Sequence, residues 1–307
     1  MIMRENADYE SLSSICAKYF SEVISDFTNT AILLNASEVA MKRYRSELKV
    51  VGLSTIENIP QELRYPTDID YRFNREELVE KYKEDIPKKI GNDYLIRSVS
   101  TIDAFLEDLY EYLLKKVFNP ELSENEIKKK VRSAWSNNNM INFFLNEFQL
   151  TKPPKKRSTP DMAFGAYESW REIRHAYVHN KGKLGQKHIT RLQELEPRLP
   201  EESHMSKSPV INGNRIQMNY YSILILRYWA YGFVTYLDYC LFYTLIIVPL
   251  IQLKTEKTLI EIKTKNKVLK GYIDSLDLDK EELVICKDED EKEILNINDV
   301  RKVTIKN

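Results

Sequence analysis

Glycine is scarce, at 8 of 307 residues. A glycine-rich loop that brings backbone against a pyrophosphate is therefore not expected. Cysteine is scarcer. Cys16, Cys240 and Cys286 are dispersed and odd in number, which fits neither a disulfide framework nor a CxxC metal site. Cys16 and Cys240 fall in apolar helical patterns and read as buried thiols. An excess of one charge is also missing, because 46 Lys+Arg balance 46 Asp+Glu. Contact with a polyanion would have to come from a local patch. A long uncharged run is missing as well. Tyr220 to Leu253 is very apolar, but Arg227 and Asp238 interrupt it and Pro249 lies in its uncharged second half. A membrane span needs about 20 predominantly apolar residues, so the stretch reads as a core helix and no membrane is expected. The opening MIMRENADYESLSS shows no basic-then-apolar leader pattern, and a reducing cytoplasm is the expected setting.

What the chain does have is apolar and aromatic matter: 43% hydrophobic residues, with 19 Tyr, 11 Phe and 3 Trp. That is enough to bury a core in one large domain with an appendage, or in two domains. From Tyr9 to Phe27, apolar residues recur at steps of three and four (Leu12, Ile15, Cys16, Tyr19, Phe20, Val23), the signature of an amphipathic helix. Asn35-Ala36-Ser37 looks like a cap opening a second helix to about Leu48. Between Gly52 and Pro87, Pro60, Pro66, Asp68 and Asp70 predict loops around a short charged helix near Glu76 to Lys83. A long helix then carries Leu95, Val99, Ile102, Leu106, Leu109 and Leu113, and Asn119-Pro120 is expected to end it. Ser123-Glu124-Asn125-Glu126 has the form of a capping box, and Met140 to Phe148 reads as a further apolar helix. Lys152-Pro153-Pro154-Lys155-Lys156-Arg157 has no periodicity and is either a solvated surface loop or an arm that contacts phosphate.

Thr159-Pro160-Asp161 predicts another helix start, and Asn180-Lys181-Gly182 its end. A polar stretch, Glu196 to Asn214, leads into the apolar helix after Tyr220. Beyond Lys254 the period changes to alternation. Ile260 to Thr264, Val268 to Leu276, Glu282 to Cys286, Glu293 to Ile297 and Val300 to Ile305 read as five short strands of a small antiparallel barrel. Gly271 would permit a sharp bend in the second strand. The acidic run Asp288-Glu289-Asp290-Glu291 reads as a hairpin tip and not as a metal site.

Reactive chemistry concentrates in Arg174-His175-Ala176-Tyr177-Val178-His179. Cutting RNA without a metal requires a group that moves a proton near neutral pH, for which imidazole is suited. It also requires a fixed cation that forks onto phosphate oxygens, for which guanidinium is suited. His179 falls in the last turn of the expected helix. Arg174 and His179 would sit about 140° apart on a regular helix. They converge only if the helix unwinds at His179 or a second copy completes the site. His175 and His179 do share a face, but no Cys is near and His188 lies beyond the helix-ending glycine, so no metal is expected. The competing reading is a helix end with two satisfied surface histidines.

Arg174-His175-x-x-x-His179 is similar to the Arg-polar-x3-His motif of the HEPN superfamily of helical ribonucleases, and Asn180-Lys181-Gly182 resembles the sequence that often follows it. The order of elements agrees, and the branch resembled is RiboL-PSP, over roughly Asp93 to Leu250. The resemblance implies a HEPN-like helical bundle (93–254). With the periodicities on either side, the expected fold is mainly α, with an N-terminal helical extension (1–92) that the resemblance does not explain and a small C-terminal β-barrel (255–307). The same resemblance implies a metal-independent, cofactor-free endoribonuclease that leaves cyclic phosphate ends. Arg174 would bind the scissile phosphate, His179 would act in proton transfer and His175 would orient the site. Asn180, Lys181 and Arg171 would contact substrate, and Asp103 or Glu107 would supply an acidic partner. A homodimer with motif residues of both protomers facing one groove is implied, as is a toxin or phage-defence role with an antitoxin or defence-system partner. The alternative from the same residues is a catalytically silent helical module that binds RNA or protein. Lys267 to Ile273 resembles the bent second strand of Sm-like barrels, which bind RNA or assemble through edge strands.

Overall fold

A computed structural model describes residues 8–46, 53–57, 60–67, 69–118, 121–288 and 291–305. The fold is mainly α, a helical bundle followed by a small C-terminal antiparallel sheet.

Helix α1 (Tyr9–Ser46) is unbroken, so no second helix begins at Ser37. Its cap signal is overridden because α1 is packed along its length. Ser37 is buried, and its hydroxyl donates instead to the Tyr82 carbonyl at 2.7 Å. Leu48 and Gly52 lie outside the described residues, as do Asp68 and the Asn119-Pro120 pair. A two-strand ladder, β1 (Leu53–Ser54) with β2 (Arg72–Phe73), precedes α2 (Arg75–Glu80), which Asn74 opens with a capping box. The chain does not leave the helix at Pro87. A wide turn at Lys81–Asp85 carries α2 directly into α3 (Ile86–Leu113). A proline ring clashes with the carbonyl four residues back and lacks an N–H, and a π-type turn relieves both. The same device, Tyr243–Ile247, joins α8 (Tyr220–Phe242) to α9 (Val248–Glu256) ahead of Pro249.

Between these pairs lie α4 (Glu124–Ala134), α5 (Asn139–Asn142), α6 (Pro160–Asn180) and α7 (Gln186–Leu195), then the short hairpin β3 (Ile211–Asn212) and β4 (Arg215–Ile216). Ser123 caps α4 with Glu126 as expected from sequence. Part of the polar stretch before Tyr220 is therefore ordered against the bundle. Leu199, Met205 and Val210 are buried there.

The Tyr220–Glu256 helix is long and apolar enough to cross a membrane by length and composition, and half of its most apolar window is buried inside this fold. Strands β5 (Ile260–Thr264), β6 (Val268–Asp277), β7 (Glu282–Asp288), β8 (Glu291–Asn296) and β9 (Val300–Ile305) form one antiparallel sheet in the order β8-β7-β6-β5-β9. Glu289 and Asp290, between β7 and β8, lie outside the described residues. At Gly271 a Cβ would lie 2.7 Å from Ile285 Cγ2 and closer still to the Cys286 carbonyl, so β6 meets β7 there only without a side chain.

Two apolar clusters organise the bundle. The larger joins α1, α3 and α8 to the sheet, with Leu12, Phe105, Leu237, Ile260 and Ile285 all fully or nearly fully buried. The second packs Trp170, Ile173 and Ala176 of α6 against Tyr94, Leu95 and Val99 of α3 and Leu226 of α8. That i, i+3, i+6 stripe holds one face of α6 inward and leaves Arg174 and His175 on faces that reach solvent.

Candidate active site at the end of helix α6

Both ends of α6 follow from local chemistry. Thr159 accepts from the Met162 N–H at 3.1 Å with Pro160 in the first turn. At the other end Lys181 (φ 53°) and Gly182 (φ 77°) are left-handed in succession, which stops the helix directly after Asn180. The turn is then stitched down. Ile216 N–H donates to the Gly182 carbonyl at 2.9 Å and Leu184 N–H to the Asn214 carbonyl at 2.8 Å. The helix thus stays regular through His179, and unwinding at that residue, one of the two routes that would bring Arg174 and His179 together, does not occur.

Arg174 faces α3. Its guanidinium donates to Ser100 Oγ at 3.2 Å and lies 3.6 Å from the Asp103 carboxylate, while its Nε is buried without a partner among the described residues. Arg171 reaches the same carboxylate at 3.5 Å and stacks 4.3 Å over the Trp135 ring. The Tyr167 hydroxyl donates to Asp103 at 2.6 Å. Burial, reinforced by Asp103, pushes this phenol well above its ordinary range, so it stays a donor. Glu107 is one step removed, since it accepts from the Trp135 indole that supports Arg171. Asp103 therefore serves both arginines directly and Glu107 acts through Trp135. Two guanidiniums thus share one carboxylate, with Glu107 behind Trp135 as the second acid of the seam.

The histidines form a second group. The rings of His175 and His179 are 4.4 Å apart between centroids, and His175 is 5.6 Å from His188. Burial first, then the neighbouring His179, pushes the His175 pKa down. His188 is buried in the first turns of α7, with Nδ1 against the Glu172 carboxylate and Nε2 2.8 Å from Asn180 Nδ2. With Asn180 donating, Nε2 accepts and Nδ1 carries the proton. Among the described residues, no hydrogen bond or ion pair links this group to Arg174, and no cluster of three His, Cys, Asp or Glu side chains could hold a metal ion. Asn180 is thus tied to His188, while Lys181 stands exposed at the helix end.

Sequence reasoning named Arg171, Arg174, His175, His179 and Asp103 but passed over Tyr167, Ser100, Trp135, Glu172 and His188 as parts of this seam. A usable signal existed for some of them. Tyr167, Arg171 and Arg174 are spaced i, i+4, i+7, and Ser100, Asp103 and Glu107 are spaced i, i+3, i+7, so two polar stripes lie on otherwise apolar helices. His188 gives no such signal, because its pairing with Glu172 depends on how α7 folds back.

No family model, curated protein or solved structure matches this chain.

Proposed function

We propose that this protein is a HEPN-type, metal-independent endoribonuclease whose site is completed by a second copy of the chain. The observation that carries the reading is the double-arginine seam, in which Asp103 holds the Arg171 and Arg174 guanidiniums side by side, with paired imidazoles further round the same helix. In the reaction, His179 accepts the proton of a ribose 2′-OH. The 2′-oxygen attacks the adjacent phosphorus while Arg174 binds its non-bridging oxygens. The 5′-oxygen then leaves and takes a proton from water while His179 returns its own to solvent, giving a 2′,3′-cyclic phosphate and a 5′-OH end. His175 orients His179, and Arg171, Asn180 and Lys181 contact the RNA.

Because α6 is regular, Arg174 and His179 of one chain diverge by about 140°. The reading therefore takes Arg174 from one protomer and His179 from the other. The role that goes with it is a cytoplasmic toxin or phage-defence effector restrained by an antitoxin or defence-system partner. Sequencing RNA 5′ and 3′ ends after brief induction tests it. Cuts that end in cyclic phosphate and vanish in both His179→Ala and Arg174→Ala are expected. No motif-dependent cut in any context sinks the enzyme, and a strictly monomeric active form sinks the composite site.

A second reading has its own observation. The Arg174 side chain is only 32% exposed and already bound to Ser100 and Asp103, as a structural brace would be. A catalytically silent module would show a lowered melting temperature in Arg174→Ala and identical RNA ends.

A further inference from the structure

Gly232 stands in the middle of α8 without a packing reason to be glycine. A Cβ built there meets no heavy atom within 4 Å. Glycine weakens a helix interior relative to alanine, so the bare position calls for another explanation. The space beside it is a groove of about 550 Å³ between α8, the first turns of α6 and the Leu199–Pro200 segment. Tyr228 and Tyr236, four residues before and after Gly232, line the same groove, and Tyr239 extends its wall. Tyr228 is 72% exposed, whereas Tyr236 is anchored by donating its hydroxyl to the Ser158 carbonyl at 2.7 Å. The result is a notch of bare backbone between aromatic side chains.

A basic segment enters the groove lining at Lys156 and Ser158. Between Phe148 and Pro160 the chain carries Lys152, Lys155, Lys156 and Arg157 and no carboxylate. The Lys156 ammonium sits 4.3 Å over the Tyr239 ring, inside the groove lining. Lys155 pairs with Asp279 at 3.0 Å, while Lys152 and Arg157 form no ion pair among the described residues. The acidic Glu201 and Glu202 belong to the opposite wall but do not line the groove.

We infer that this groove binds single-stranded RNA, with a base in the Gly232 notch between Tyr228 and Tyr236 and phosphates toward Lys152, Lys156 and Arg157. Unpaired nucleic acid is recognised by aromatic faces for its bases and cations for its backbone. A duplex hides its base faces and does not fit. The groove lies at the opposite end of α6 from Arg174 and His179. The inference shares its ligand class with the ribonuclease reading, but it does not require cleavage.

Gly232→Leu is the decisive variant, because it fills the notch in open space and raises helix propensity. In the full-length chain carrying His179→Ala, to spare the probe, binding of a short labelled oligoadenylate is followed by fluorescence anisotropy. Gly232→Leu is expected to weaken binding about ten- to a hundredfold, the loss of one stacked base, with a melting temperature at or above its parent's. Lys152→Glu with Arg157→Glu is expected to weaken binding and flatten its salt dependence. Unchanged affinity in Gly232→Leu overturns the inference, as does a parent that binds duplex equally well or no RNA at all. Loss of self-association in Gly232→Leu with RNA affinity intact would assign the groove to a second copy, which also overturns it. If wild type cuts RNA while Gly232→Leu binds normally, this inference fails and the nuclease stands. Gly232-dependent binding without any cutting gives the reverse.

Discussion

The Asp103 carboxylate lies 3.6 Å from the Arg174 guanidinium, and the same carboxylate serves Arg171 at 3.5 Å. One anion thus orients two cations across the seam between α3 and α6, with Tyr167 as its third partner. Asp103→Asn would keep the shape and remove the charge. The expected cost is about 1–3 kcal/mol, because a charge-assisted set of bonds becomes neutral and a buried hydroxyl loses its best acceptor. Denaturant unfolding measures this. An unchanged midpoint would show that Asp103 does not organise the seam.

Arg174→Lys separates shape from charge. A lysine ammonium cannot reach Ser100 and Asp103 as a planar fork while presenting donors to phosphate. Under the nuclease reading RNA cleavage falls by at least tenfold although the positive charge is kept, and near-normal cutting by the lysine variant would show that charge alone suffices.

His188 closes the far side of the site by joining Glu172 to Asn180. His188→Phe fills the volume but leaves Glu172 and Asn180 without partners, at an expected cost of about 1–3 kcal/mol. Hydrogen exchange locates the effect. Amides from Tyr177 to Gly182 should lose protection before those of α3 do, and uniform loss across the chain would argue for a merely global effect.

Asp238 gives a pH signature. Burial raises its pKa in the fold, against hydrogen bonds from Tyr9 and Cys16 that lower it. An acid whose folded pKa lies above its unfolded value contributes most stability when protonated, and that contribution is lost as pH rises through the folded pKa. Asp238→Asn keeps an acceptor for the Tyr9 hydroxyl, which now donates to Asp238 at 3.0 Å. The variant should gain stability at neutral pH, with the gain vanishing at acid pH. Melting curves of both proteins across pH 3 to 8 (roughly the span over which a raised carboxylate titrates) test this, and a pH-independent difference would contradict it.

Gly271→Ala tests the closest approach in the sheet. The new Cβ would meet Ile285 Cγ2 at 2.7 Å and the Cys286 carbonyl closer still. Overpacking of this kind costs about 1–3 kcal/mol. A wild-type denaturation midpoint would mean that β6 and β7 can separate freely there.

Much of the fold was legible because its signals are local. The Thr159-Pro160 start and Lys181-Gly182 stop of α6 act within one helical turn, and both stand where the residues put them. The five C-terminal strands follow the alternation of apolar residues almost to the residue. Local signals also misled. Ser37 has the chemistry of a cap and Pro87 that of a breaker, yet the helices run through both. At Ser37 burial and a bond to the Tyr82 carbonyl outweighed a capping preference of about 1 kcal/mol, and at Pro87 the wide turn at Lys81–Asp85 removed the clash that makes proline a breaker.

The segment from Arg174 to His179 shows the same division. By sequence alone, its residue types, its place at a helix end and the separation of Arg174 from His179 around that helix were determined, because helical period and capping depend only on neighbours in the chain. Tertiary structure decided which side chains each residue meets. Asp103 took both arginines, Glu107 took Trp135, and His188 returned from the next helix to bind Asn180 and Glu172. Spacing puts the polar stripes on α3 and α6, but those pairings depend on which helix faces the apolar core brings together.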